Sequence, residues 1–262
     1  AKLLPGKDYL DPELSLIIDD IVEVTEQKKL QEYLEKWLKE KINFILKSLI
    51  DLRSLKESNS SIRALAYQLY ENNGVLKRDK VSEYLKKLGQ DERKILRNLG
   101  VKFGRYHVFL FKLLKPEAVS LRILLWKIYH QKSFNLKPPT FGLNFLENKD
   151  FKNKNFMLLC GFENFDNYFV RIDILERLFV QIINTNPDGK AKIKLVPEML
   201  NLLGCSKNNF SKLIQKMNYN VFEEKDEFYF KYNPTKQKIK KIINKSQKSD
   251  NPFHILKNIN FK

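Results

Sequence analysis

The chain has 262 residues, 43% of them hydrophobic, and its 48 Lys and Arg against 31 Asp and Glu give a formal net charge of +17. That length holds one large or two to three small domains, and the apolar share excludes wholesale disorder. The charge points to a polyanionic partner, nucleic acid first and an anionic membrane second. A plainer source of charge also exists, since the sequence is rich in Lys, Asn, Ile and Phe, as an AT-rich genome produces. Cys160 and Cys205 have neither a paired metal spacing nor the density of a disulfide scaffold, which suggests a reducing cytoplasm. No run approaches the roughly 20 consecutive apolar residues of a membrane span, and no signal-peptide pattern opens the chain, so no membrane partner is expected. The first residue is Ala1 rather than Met, which reads as a piece of a longer protein.

After a lead-in bearing Pro5 and Gly6, Asp11 and Pro12 predict the start of a short helix with Leu14, Ile17, Ile18 and Ile21 inward. Thr25 is placed to cap a longer run over residues 27–55, where Leu30, Leu34, Trp37, Leu38, Ile42, Ile45, Leu46, Leu49 and Leu52 recur at helical spacing. This predicts a helical hairpin over residues 1–58, with Lys36, Lys39, Lys41 and Lys47 on a solvated face. A polar linker leads to a helix over 62–72 with Leu65, Ala66, Leu69 and Tyr70 buried. A short strand at Val75 and Leu76 follows, then a helix over 80–88 capped by Asp79.

Residues 90–126 carry the densest pattern. Asp91 is placed to cap a helix with Ile95, Leu96 and Leu99 buried and Arg93, Lys94 and Arg97 outward, and Gly100 stops it. Val101 and Phe103 then lie on one side of a strand and Lys102 on the other, Gly104 permits a turn, and residues 107–110 return. Pro116 opens another helix with Ala118, Leu121, Leu125 and Trp126 inward. Arg97, Lys102, Arg105, Lys112, Lys115 and Arg122 are expected to stay wet. Helix, strand, helix, helix, strand, strand over residues 59–132 is the order of a winged helix.

Residues 133–161, with Pro138, Pro139, Gly142 and isolated phenylalanines, read as a connector. Residues 162–172 predict a hairpin around Asp166–Asn167. Asp173 and Glu176 have capping-box spacing ahead of a helix with Leu175, Leu178, Phe179, Ile182 and Ile183 on one side. A strand over 192–196 and a helix from Pro197 to Gly204 follow. The next helix is capped by Ser206, with Phe210, Leu213, Ile214 and Met217 inward and Lys207, Lys212, Gln215 and Lys216 outward. Strands over 220–224 and 228–232 flank a turn holding Lys225, which repeats the earlier order within residues 162–232. The letters echo it: SEYLKKLG at 82–89 aligns with PEMLNLLG at 197–204, and KILRNLGV at 94–101 with KLIQKMNY at 212–219. Residues 233–262 form a basic tail ending in a PF-x-x-L segment, which either docks a partner or packs on its own domain.

The fold class is therefore mainly α with small β-hairpins, a helical hairpin followed by one or two winged-helix-like units. Catalytic motifs are missing. A phosphate-cradling loop must end in Gly-Lys-Ser/Thr, but Gly6-Lys7 is followed by Asp8 and Gly189-Lys190 by Ala191. His107, His130 and His254 are too scattered for a zinc site or a nucleophile system, and His107 reads as a packed or hydrogen-bonded imidazole with no acidic partner near it in sequence.

The segment RNLGVKFGRYHVFLFKLLKPEAVSLRILLW at 97–126 resembles the C-terminal region of alphaproteobacterial superfamily 2 helicase-related proteins, akin to the mitochondrial degradosome RNA helicase. VRIDILERL at 170–178 and PEMLNLLGCSKNNFSKLIQKMNY at 197–219 agree with it. The resemblance implies a region behind an ATP-driven motor. ATP and magnesium would belong to those motor domains, and no cofactor or metal is expected in this chain. Its own role would be to grip single-stranded RNA, or less readily DNA, without sequence preference. Expected contacts are Arg93, Lys94, Arg97, Lys102, Arg105 and Tyr106 in the first winged unit and Lys207, Lys212, Gln215, Lys216 and Lys225 in the second. The alternatives are a self-standing winged-helix DNA-binding or regulatory protein, and a scaffold whose tail docks a nuclease or ribosomal partner.

Overall fold

The computed structural model describes residues 1–17, 23–55, 60–131, 136–148, 153–186, 191–224 and 227–233. Helices make up about 55% of it, and all its sheets are antiparallel with two or three strands. The chain divides into two compact units, Ala1–Phe179 and Val180–Lys262.

In the first unit, strand β1 (Lys2–Leu4) pairs with β2 (Glu13–Ser15), where the sequence predicts a helix after Pro12. A Cβ on Gly6 would lie 1.8 Å from the Asp11 carbonyl oxygen, so glycine is what lets the two arms close on each other. With that backbone committed to a ladder, the expected inward stripe is lost. Ile17 is exposed, and Ile18 and Ile21 lie outside the described residues.

Helices α1 (Val24–Ile45) and α2 (Lys47–Arg53) meet at the single residue Leu46. Glu23, not Thr25, holds the cap position of α1. Leu46 N–H donates to the Ile42 carbonyl and Ile50 N–H to that of Leu46, so hydrogen bonding runs through the joint. Side-by-side helices need a loop of about 2–5 residues, so α1 and α2 form one nearly continuous run in place of the expected hairpin. Ile42, Leu46, Leu49 and Leu52 join the main core, whereas Leu30 and Trp37, also expected inside, are exposed.

Helix α3 (Ser60–Glu71), strand β3 (Val75–Lys77), a 3-10 turn at Arg78–Val81, α4 (Ser82–Lys87), α5 (Gln90–Asn98), β4 (Val101–Phe103) and β5 (His107–Leu110) follow in the expected order. The sheet order is β3-β5-β4. Two details of α5 differ from expectation. Glu92, not Asp91, caps the helix by accepting the Gly89 N–H at 2.7 Å, and Ile95 is exposed while Leu96 is fully buried.

The stretch beyond α6 (Pro116–Tyr129) is more structured than a connector. It holds strand β6 (Phe145–Glu147) and helix α7 (Lys154–Leu159), followed by β7 (Phe162–Phe165) and β8 (Tyr168–Arg171) in a sheet of order β6-β8-β7. Phe145 pairs with Val170 and stacks on the Tyr168 ring at 5.5 Å. The Asn153 side chain caps α7 at the Phe156 N–H, and Phe156, Met157 and Leu159 are buried. Elements of three and six residues leave too little periodicity to be read from sequence.

Helix α8 (Ile172–Thr185) buries Leu175, Leu178, Phe179 and Ile182 and leaves Ile183 exposed. The Asp173–Glu176 capping box does not form. Arg171 Nε and Nη2 grip the Asp173 carboxylate at 2.7 and 2.8 Å, and Glu176 is engaged elsewhere. In the second unit, β9 (Ile193–Lys194), α9 (Pro197–Leu203), α10 (Lys207–Lys216), β10 (Tyr219–Glu224) and β11 (Glu227–Tyr232) form a sheet of order β10-β11-β9. Met199, Leu203, Phe210, Leu213 and Ile214 are buried, with the Phe210 and Tyr219 rings packed edge-on to Phe230. Every three-stranded sheet thus has its last strand in the centre.

Arg122 on α6, expected on the surface, is completely buried. Its Nη1 and Nη2 donate to the carbonyls of Asn73 and Leu113 at 2.7 and 2.6 Å. Burial pushes its pKa down to about 10, partly offset by Tyr9 and Cys160, so it stays charged at pH 7. Such a guanidinium is kept because it answers two carbonyls that nothing apolar can answer. Arg122→Met should therefore lower stability by about 2–4 kcal/mol in urea unfolding. An unchanged midpoint would show that those carbonyls find other donors.

Candidate nucleic-acid interface

Helix α5 presents one cationic face. Lys94 and Arg97, three positions apart and so neighbours on the helix, are both exposed, as is Lys102 on β4. The Arg97 guanidinium lies 5.7 Å from the Phe103 ring centroid, which limits how far that side chain roams. Arg93 does not join them. Its Nη2 and Nε donate to the carbonyls of Leu85 and Leu88 at 2.7 and 3.3 Å, so it ties α5 to the C-terminal end of α4.

The turn between β4 and β5 is pinned. The N–H groups of Arg105, Tyr106 and His107 all donate to the carboxylate of Glu176 on α8, the latter two at 2.8 Å. A Cβ on Gly104 would come within 2.3 Å of that carboxyl carbon, so glycine makes room for it. The Tyr106 ring meets Phe179 edge-on at 5.0 Å, and the Arg105 guanidinium sits 5.5 Å from the same ring. Tyr106 is thus packed rather than offered for stacking, while Arg105 remains exposed.

Behind the turn lies a buried charge network. His107 Nε2 is 2.7 Å from Glu163 Oε2, its Nδ1 is 3.4 Å from Glu176 Oε1, and Lys77 Nζ reaches Glu163 Oε1 at 2.6 Å. The acidic partners that sequence proximity did not reveal come from 56 and 69 positions away. Burial by itself would lower the imidazole pKa, but hydrogen bonds to Glu163 and Glu176 outweigh it and hold His107 above its ordinary value. Burial would raise Glu163, but the His107 hydrogen bond and charge outweigh it and hold the carboxyl below its ordinary range. The network clamps β3, β5, β7 and α8 to one another.

In the second unit, Lys212, Gln215 and Lys216 lie exposed on α10, and Lys207 at its start is also exposed with its Nζ 3.9 Å from the Phe228 ring centroid. The β10–β11 hairpin is less basic than a backbone-gripping wing should be. It carries Glu223, Glu224 and Glu227, of which Glu224 pairs with Lys192 and Glu227 with Lys194. Lys225 lies outside the described residues. The positions brought together are therefore Lys94 with Arg97 on α5, and Lys212, Gln215 and Lys216 on α10. Glu163 and Glu176 escaped sequence reading because a lone glutamate carries no signal of a distant partner.

Among the described residues no cluster of His, Cys, Asp and Glu is placed to hold a metal, and no helix is long and apolar enough to cross a membrane. Compared with known proteins, the chain matches no family, no curated protein and no solved structure.

The clamp sets a pH dependence. Because the folded-state pKa of His107 is raised, its contribution is full below about pH 6.5 and is lost as pH rises through the folded value. Glu163 works oppositely, contributing above about pH 4.5 and losing that as pH falls through its lowered value. The unfolding free energy should decline above about pH 6.5 with a limiting slope of about 1.4 kcal/mol per pH unit from His107, and the thermal midpoint should fall with it. His107→Gln should have a lower midpoint without that decline. Parallel profiles for the two proteins would show that the imidazole is not charged in the fold.

Proposed function

We propose that this chain is the nucleic-acid-binding accessory region of an ATP-dependent RNA helicase, holding single-stranded RNA, or less readily DNA, without sequence preference. Each run of helix, strand, helix, helix, strand, strand, with the last strand central in its sheet, reads as a winged helix. The stretch with α6, β6, α7, β7 and β8 reads as an abbreviated third copy. The observation that carries the reading is the same in both full copies: the helix just before the hairpin buries one face and exposes cations on the other. Lys94 and Arg97 do so on α5, and Lys212 and Lys216 on α10.

The hairpins favour a single strand over a duplex. Duplex readers set a helix in the groove and lean the wing on phosphates. Here the first turn is held on α8 by Glu176, and the second hairpin carries three glutamates. Cationic helix faces gripping a flexible backbone need neither wing. Turnover would come from ATP hydrolysis in motor domains, which the resemblance of residues 97–126 implies for a parent protein.

The test is fluorescence anisotropy with labelled single-stranded RNA, single-stranded DNA and duplex DNA across a range of salt. Single-stranded RNA should bind most tightly, with affinity falling as salt rises. Arg97→Ala and Lys212→Ala should each reduce the slope of log K against log salt by about 0.7. No binding at low salt would overturn the proposal and favour a protein-docking scaffold; tighter binding to duplex DNA would favour a self-standing DNA-binding protein.

A further inference from the structure

Helix α1 carries an apolar surface that the core does not use. At about 100° per residue, Leu30, Tyr33, Trp37 and Phe44 fall within an arc of about 60°, away from the buried and half-buried Leu38, Ile42 and Ile45. They are 44%, 66%, 52% and 80% exposed. Helical rise puts Tyr33 and Trp37 about 6 Å apart along the axis and Trp37 and Phe44 about 10 Å apart. Lys29 and Lys36 line one edge of the stripe, and Lys41, paired with Glu117 at 3.0 Å, lines the other. Glu26 and Glu40 are the acids on this side.

We infer that this stripe is a stacking platform for unpaired bases of single-stranded RNA, with Lys29 and Lys36 against the phosphates. The inference rests on the nucleic-acid reading above and adds a site distinct from α5 and α10. Two features favour bases over a partner helix. Three of the four side chains are aromatic, with flat faces that accept any base, and lysines beside them match the charge of the backbone. A helix–helix seam would continue Leu30, Tyr33 and Trp37 through position 40, where Glu40 would be buried in the contact. A flexible strand can bypass it.

Stacking releases no counterions, so the site has a signature separate from that of the phosphate contacts. With the full chain and an unstructured oligouridine RNA, Tyr33→Ala and Trp37→Ala should each weaken binding at least about fivefold at every salt concentration and leave the salt slope unchanged. Glu40→Lys should tighten binding and steepen the slope. Of the two tryptophans, Trp37 is exposed and Trp126 half-buried, so RNA should quench the intrinsic emission and Trp37→Ala should abolish the quench. Because the stripe is exposed, the variants should keep the far-UV circular dichroism of the parent. Unchanged affinity and quench in Trp37→Ala, while Lys212→Ala still lowers the slope, would overturn the site and leave the nucleic-acid reading standing. Absence of RNA binding by the parent would overturn both. A concentration-dependent dimer that Trp37→Glu dissociates, with RNA affinity untouched, would overturn it by assigning the stripe to a second copy of the chain.

Discussion

Three successive backbone amides, those of Arg105, Tyr106 and His107, donate to the carboxylate of Glu176, and the same His107 carries Glu163 on its other nitrogen. Converging amides form a concavity that favours an anion, and here the protein supplies the anion itself. The arrangement needs Gly104, because a side chain there would collide with the carboxylate, and the buried Glu163 is met by both His107 and Lys77. Lys77 on β3, His107 on β5, Glu163 on β7 and Glu176 on α8 are thereby bound into one unit. Removing Glu163 would leave the buried His107 imidazole with only the longer contact to Glu176, a larger loss than that of a surface pair.

The cations behind the net charge differ in what they meet. Arg93, Arg122 and Lys77 are engaged by carbonyls or a buried carboxylate, and Lys192 and Lys194 pair with Glu224 and Glu227, two of the three glutamates of the last hairpin. Exposed cations occur along much of the chain, and among them Lys94 with Arg97 and Lys212 with Lys216 each share one helix face opposite the core. Grouping on the equivalent helix of two similar runs is what gives the charge a direction, and it is why the helix faces rather than the turns carry the proposed contacts.

Much of the fold was legible in the sequence because its signals are local. Pro116, Pro197, Gly204 and Ser206 mark real helix boundaries, and the alternations around 101–110 and 219–232 are real hairpins. The failures share one cause, which is long-range competition. Residues 13–15 pair with residues 2–4 instead of coiling, Arg122 faces inward because two carbonyls 49 and 9 positions away call for it, and Glu176 leaves its helix end for a turn about 70 positions earlier. Trp37 and Leu30 kept helical spacing with the core residues of the same run, yet spacing says only that a face is apolar and not what covers it. The candidate site was half legible for the same reason. Outward charge on α5 and α10 follows from periodicity, whereas the withdrawal of Arg93 and Tyr106 depends on partners elsewhere in the chain.

The central claim is that exposed helix faces, not the hairpin turns, hold a single strand. Ultraviolet crosslinking of the full chain to a photoreactive single-stranded RNA, mapped by peptide mass spectrometry, tests it most directly. The account predicts adducts on the α5 peptide around Lys94–Arg97 and on the α10 peptide around Lys212–Lys216, and none on the turn at Arg105–Tyr106. Adducts confined to that turn or to the β10–β11 hairpin would contradict it.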